Sequence, residues 1–66
     1  MYELRSKERL DITRSLRKDG YTLKEIAGIL DRATFKRTPD GVLVIYDNGA
    51  KDRFVYTRGL VRESDL

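Results

Sequence analysis

Fourteen Lys/Arg against eleven Asp/Glu give this 66-residue chain a net charge of +3, and it contains neither histidine nor cysteine. Those absences exclude disulfides, thiolate and imidazole metal sites, and Ser-His or Cys-His nucleophile pairs, so neither a metal nor another cofactor is expected. A chain this short buries only about 60% of the surface that its unfolded form exposes, which predicts one domain over residues 1–66 with little stability in reserve. It has no apolar run of signal-peptide or transmembrane length, and its cysteine-free composition fits a reducing cytoplasm.

The apolar periodicity predicts a first helix from about Glu3 to Asp19. Ile12 and Leu16 share one side, with Ser15 and Asp19 near its edge. Lys7, Arg14, Arg17 and Lys18 fall on the opposite side, around Leu10. Asp11 lies one turn from both Lys7 and Arg14, a spacing that supports a helix slightly.

Gly20-Tyr21-Thr22-Leu23-Lys24-Glu25-Ile26-Ala27 then reads as a helix end, a tight corner and a second helix start. Gly20 suits a left-handed C-terminal residue, and Thr22 with Glu25 forms a T-x-x-E capping box. Tyr21 and Ile26 are spaced as a hydrophobic staple. The second helix is expected from Leu23 to about Asp31, with Leu23, Ile26, Ala27 and Leu30 on one face and Ile29 flanking it. Gly28 points away and costs about 1 kcal/mol against alanine.

Beyond this point the period becomes that of strands: Ala33–Thr38, Val42–Asp47 and Arg53–Thr57. Pro39-Asp40-Gly41 predicts a three-residue turn with Gly41 left-handed, which sets Thr38 against Val42 and Phe35 against Ile45. At Asn48-Gly49, a two-residue loop sets Ile45 against Asp52. A loop of Asn48–Lys51 sets Ile45 against Phe54 and Leu43 against Tyr56, and is preferred because it aligns apolar faces. The expected inner face is then Phe35, Leu43, Ile45, Phe54 and Tyr56. Thr34, Lys36, Thr38, Val42, Val44, Tyr46, Arg53 and Val55 are expected outside. In the ambiguous tail, Leu60 and Val61 are placed to seal the core edge, with 60–66 as a frayed end. The expected class is α+β: two N-terminal helices packed on a three-stranded antiparallel meander, with a winged-helix-like arrangement as the variant.

Two stretches resemble known families. Thr22-Leu-Lys-Glu-Ile-Ala-Gly-Ile-Leu30 resembles the first helix of helix-turn-helix and winged-helix regulators, which implies DNA binding. The recognition helix of that pattern has no room before Pro39, while Val42–Thr57 resembles a hairpin wing. Phe35-Lys-Arg-Thr-Pro-Asp-Gly-Val-Leu-Val44 resembles the hairpin of small HicA-type RNA-cleaving toxins, which have a helix before a three-stranded sheet. Their catalytic histidine has no counterpart here.

Charge points to the partner. Residues 1–38 carry +4 and residues 39–66 carry −1, so a basic first half is available to phosphates. The expectation is a small nucleic-acid-binding regulatory protein, with DNA favoured over RNA. Its phosphate contacts would come from Lys7, Arg14, Arg17, Lys18, Lys24, Arg32, Lys36 and Arg37. The alternative is a protein-interaction module or homodimer using Val42, Val44, Tyr46, Arg53 and Val55 on the outer sheet face. A ribonuclease site of Tyr46, Arg53 and Lys36 is conceivable, but nothing in the spacing singles out a general base, so no enzymatic activity is expected. No membrane partner is expected.

Overall fold

The computed structural model describes residues 3–66. Helix α1 spans Ser6–Lys18 and α2 spans Leu23–Arg32. Four strands follow: β1 Thr34–Thr38, β2 Gly41–Ile45, β3 Lys51–Tyr56 and β4 Leu60–Arg62. They form one antiparallel sheet in the order β1-β2-β3-β4. The chain is therefore α+β, with two helices as expected and one strand more. Residues 60–66 are not a frayed tail: β4 is hydrogen-bonded to β3, and a 3-10 turn, Glu63–Asp65, follows it.

The corner forms as its residues dictate. The Glu25 N–H donates to Thr22 Oγ1 at 3.1 Å, and the Thr22 N–H donates to Glu25 Oε1 at 2.9 Å. A cap of this kind contributes about 1 kcal/mol. Gly20 is left-handed at φ 98°, where other residues are strained. The buried residues of α2 are Ile26 and Leu30, with Ile29 and Ala33 partly buried against the core. Leu23 and Ala27 are exposed. The helix thus keeps Ile26 and Leu30 inward as expected but is rotated by about a sixth of a turn, toward Ile29 and Ala33 and away from Leu23 and Ala27.

The sheet register departs from expectation in β2 alone. Thr38 pairs with Gly41 and Phe35 with Val44, one residue from the expected pairing. Ile45 pairs with Lys51 and Val42 with Phe54, a shift of three from the expected pairing. Both shifts are odd, so β2 is turned over while β1 and β3 keep their faces. Val42 and Val44 are fully buried, and Leu43 and Ile45 point to the other side. The turns explain the shift. Pro39-Asp40 alone connects β1 to β2, and Gly41 is not left-handed. Its requirement is space: a Cβ there would lie 1.9 Å from the Phe54 carbonyl oxygen. Between β2 and β3, Tyr46 N–H donates to the Ala50 carbonyl at 2.8 Å, and Gly49 is the left-handed residue at φ 87°. The loop is therefore Asp47-Asn48-Gly49, one residue shorter than expected and a common bulged hairpin form.

The core joins Ile12 and Leu16 of α1, Ile26 and Leu30 of α2, and Val42, Val44, Phe54 and Leu60 of the sheet. Both helices lie on this face. Val44→Lys is expected to unfold the chain, whereas Leu43→Lys leaves it folded, because a buried unpaired ammonium is far costlier than an exposed one. Circular dichroism with urea titration of the two variants checks the assignment of faces.

Candidate functional site

α1 is docked onto the sheet by carboxylates. Glu8 is buried and accepts hydrogen bonds from the Tyr56 hydroxyl, the Arg37 guanidinium (3.1 Å) and the Arg5 backbone N–H (3.0 Å). One turn on, Asp11 Oδ2 accepts from the Leu60 N–H at 3.0 Å. At the C-cap, Asp19 receives two hydrogen bonds from Arg62, at 2.6 and 2.8 Å. Arg62, on β4, also pairs with Asp65 at 3.2 Å and lies 3.7 Å from Asp52. Asp52 in turn accepts from the Tyr46 hydroxyl at 2.7 Å.

The helix therefore turns its acids inward and its bases outward. Lys7, Arg14 and Lys18 fall within an arc of about 40° at 100° per residue. They face the turn between β3 and β4 across a cleft of about 310 Å³, lined also by Asp11, Ser15, Arg58 and Val61. A second cleft of about 240 Å³ shares Lys7, Asp11 and Arg58 and adds Arg5 and Tyr56. Arg58 sits at the tip of the Thr57-Arg58-Gly59 turn. The turn is closed by Thr57 N–H to the Gly59 carbonyl (2.8 Å) and pressed onto α1, since a Cβ at Gly59 would lie 2.9 Å from Asp11 Oδ2. Arg5, Lys7, Arg14, Lys18 and Arg58 thus converge on one seam. None has a carboxylate within ion-pair distance among the described residues. Asp11, Asp65 and Glu8 line the same clefts, and each is already engaged: Asp11 by the Leu60 N–H, Asp65 by Arg62 and Glu8 by Arg37.

The eight cations expected at a phosphate surface are thus divided. Lys7, Arg14 and Lys18 meet in the seam, with Arg17 exposed further round α1. Lys24 is exposed on α2, and Arg32 pairs with Asp47 at 3.1 Å. Lys36 lies on the outer sheet face, and Arg37 is on the inner face, held by Glu8. Arg37 is therefore a structural cation, because β1 alternates and puts Phe35 and Arg37 on the helix side. Arg5 and Arg58 were missed by sequence reasoning. The Arg58-Gly59 pair is a turn signal, but only the fold brings that turn against α1.

Of the five residues expected to form an interface on the outer face, Arg53 and Val55 are there. Val42 and Val44 belong to the core and Tyr46 packs against it, for the register reason given above. Tyr46 therefore does not join Arg53 and Lys36, and the conceived ribonuclease cluster is not assembled. Tyr46 instead borders a cleft of about 260 Å³ with Asp19, Asp52 and Arg62, whose polar groups bond one another. Burial and the Asp52 carboxylate raise the Tyr46 pKa well above its ordinary value of 10.0. That places its phenol as a donor to Asp52, not as a base.

After α2, Ala33 alone precedes β1, so the described residues contain no third helix to serve as a recognition helix. No helix is long and apolar enough to cross a membrane among the described residues. In comparisons with known proteins, neither a family model, nor a curated sequence, nor a solved structure matches this chain.

Two outcomes follow from this geometry. Arg37→Ala is expected to destabilise the fold by about 1–3 kcal/mol, because it strips a partner from buried Glu8; urea unfolding measures it. Acid should act through the capping and docking carboxylates. Hydrogen bonds from Arg62 hold the Asp19 pKa below its ordinary 3.8, those from Arg53 and then Thr38 lower Asp40, and Thr22 lowers Glu25 from 4.5. Groups with depressed folded pKa values stabilise fully above their unfolded values and lose that contribution as pH falls through the folded ones. The urea midpoint should therefore hold from about pH 7 to about pH 5 and fall below about pH 4. Arg62→Gln should show a shallower acid limb.

Proposed function

We propose that this chain is a small nucleic-acid-binding protein that docks on phosphates through the seam between α1 and the β3–β4 turn, with duplex DNA the favoured ligand and regulation the favoured role. The observation that carries this reading is the segregation of charge. Arg9, Arg32, Arg37, Arg53 and Arg62 hold the ion-paired carboxylates, and Arg5, Lys7, Arg14, Lys18 and Arg58 are left together without such partners among the described residues. A modest +3 overall thereby becomes a concentrated positive strip, the electrostatic footprint of phosphate binding. Arg17 and Lys18 also complement the helix C-terminus, but that role does not account for Lys7, Arg14 or Arg58. The helix α2 supports the reading less, since its exposed positions mix Leu23, Lys24, Ala27 and Asp31.

Phosphate docking of this kind is salt-dependent. With five cations engaged, the logarithm of affinity should fall against the logarithm of salt with a slope of about −4.5 on duplex DNA. Arg14→Glu combined with Arg58→Glu should abolish binding in fluorescence anisotropy and leave the circular dichroism spectrum unchanged. Lys24→Glu should have little effect. Wild-type affinity in the folded double variant overturns the assignment, and tighter binding to RNA than to DNA reassigns the ligand.

A further inference from the structure

We propose that the outer face of the sheet is a second, separate docking surface, and that its occupant is an acidic amphipathic helix of another protein. Both helices of this chain pack on the opposite face, and β2 contributes two large apolar side chains to the side they leave uncovered. The register sets Ile45 between Thr34 and Lys51, Leu43 between Lys36 and Arg53, and Val55 between Gly41 and Val61. Leu43, Ile45, Val55 and Val61 are each half-buried and form a diagonal aliphatic strip across β2, β3 and β4. Cations border it on both sides.

The charges identify the occupant. Lys36 and Lys51 have no carboxylate within ion-pair distance among the described residues, while Arg53 is held by Asp40 at 2.7 Å and Glu63 at 3.3 Å. An occupant that brings carboxylates to either side of an apolar ridge complements this surface. A second copy of this chain does not. The carboxylates beside this face, Asp40 and Glu63, are already held by Arg53, so a second copy brings no free carboxylate from its own outer face to Lys36 and Lys51. Size argues the same way. Four strands about 4.8 Å apart and five residues of about 3.3 Å each make a plate of about 14 by 17 Å. That is far below the ~800 Å² per partner of a standard stable interface. It matches about three turns of one helix, which is about 10 Å wide. The strip is aliphatic and lacks an aromatic ring on which a base could stack, which favours a helix over a nucleic acid.

The test uses the full chain, isotope-labelled, and a synthetic helical peptide with leucines at i, i+3, i+4 and i+7 and glutamates on both flanks. Amide shifts should centre on Leu43, Ile45, Val55 and Val61. Leu43→Ser with Ile45→Ser should weaken binding about tenfold or more. Lys36→Glu with Lys51→Glu, at solvent-facing positions that leave the core intact, should do the same in a folded protein. A peptide with lysine flanks should not bind. The proposal is overturned by absence of binding, by shifts on α1 instead, by folded variants that bind as the wild type does, or by equal binding of the lysine-flanked peptide. It is also overturned if sedimentation shows the free chain dimerising through these residues, or if duplex DNA displaces the peptide.

Discussion

The arrangement rests on the docking of α1 by its own carboxylates. The buried stripe of that helix is less than half apolar: Ile12 and Leu16 share it with Glu8, Asp11 and Ser15, and the C-cap Asp19 follows at its end. Each acid meets a donor on the sheet: Arg37 and Tyr56 for Glu8, the Leu60 N–H for Asp11, and Arg62 for Asp19. Without these donors the stripe would bury charge at a cost exceeding what two aliphatic side chains return. Asp19 shows the dependence most plainly. A carboxylate at a helix C-terminus opposes the macrodipole, and it is retained because a guanidinium from β4 meets it.

Charge segregation follows directly from that docking. An amphipathic helix sorts residues by side, and here both sides are charged. With the acids drawn to the sheet, Lys7, Arg14, Arg17 and Lys18 are left on the solvent side without the neighbours that would neutralise them. The β3–β4 turn adds Arg58, because Gly59 lets the backbone approach Asp11 closely. The proposed phosphate surface is therefore a by-product of how α1 is held, and net charge understates it.

Local signals were legible. The capping box, the left-handed Gly20, the inward Ile12 and Leu16 and the break to strands all depend on neighbours in sequence, and all stand; the two hairpins lie where expected, but with shorter turns. The facing of β2 was not legible. Gly-Val-Leu-Val-Ile-Tyr is apolar at both parities, so alternation gives no preference and the register falls to the turns. Those turns were each one residue shorter than expected, and with β2 reversed an expected interface became core. Arg37 was misread, and Arg62 passed over, for a related reason. A cation on a short strand looks solvated until the helix that carries its carboxylate is placed over it, and Glu8 and Asp19 are many residues distant. The assembled seam could not be read either, since Arg58 joins Lys7 and Arg14 only through β4.

β4 is the shortest strand and the one on which most depends. Its three residues, with the turn before them, serve three surfaces at once. Arg58 reaches the cationic seam. Leu60 closes the core and gives its N–H to Asp11, and Arg62 fixes the end of α1. Val61, between them, points the opposite way and completes the apolar strip of the outer face. The alternation of a strand makes this division unavoidable: consecutive side chains go to opposite faces. The two proposed surfaces therefore lie on opposite faces of the sheet and meet at Val61 on its edge strand, which also borders the seam. They are joined through one element, in which neighbouring residues serve the core, the clamp on α1 and the outer face. A ligand that shifted β4 from one side would act on the other through Leu60 and Arg62, with no need for a longer path.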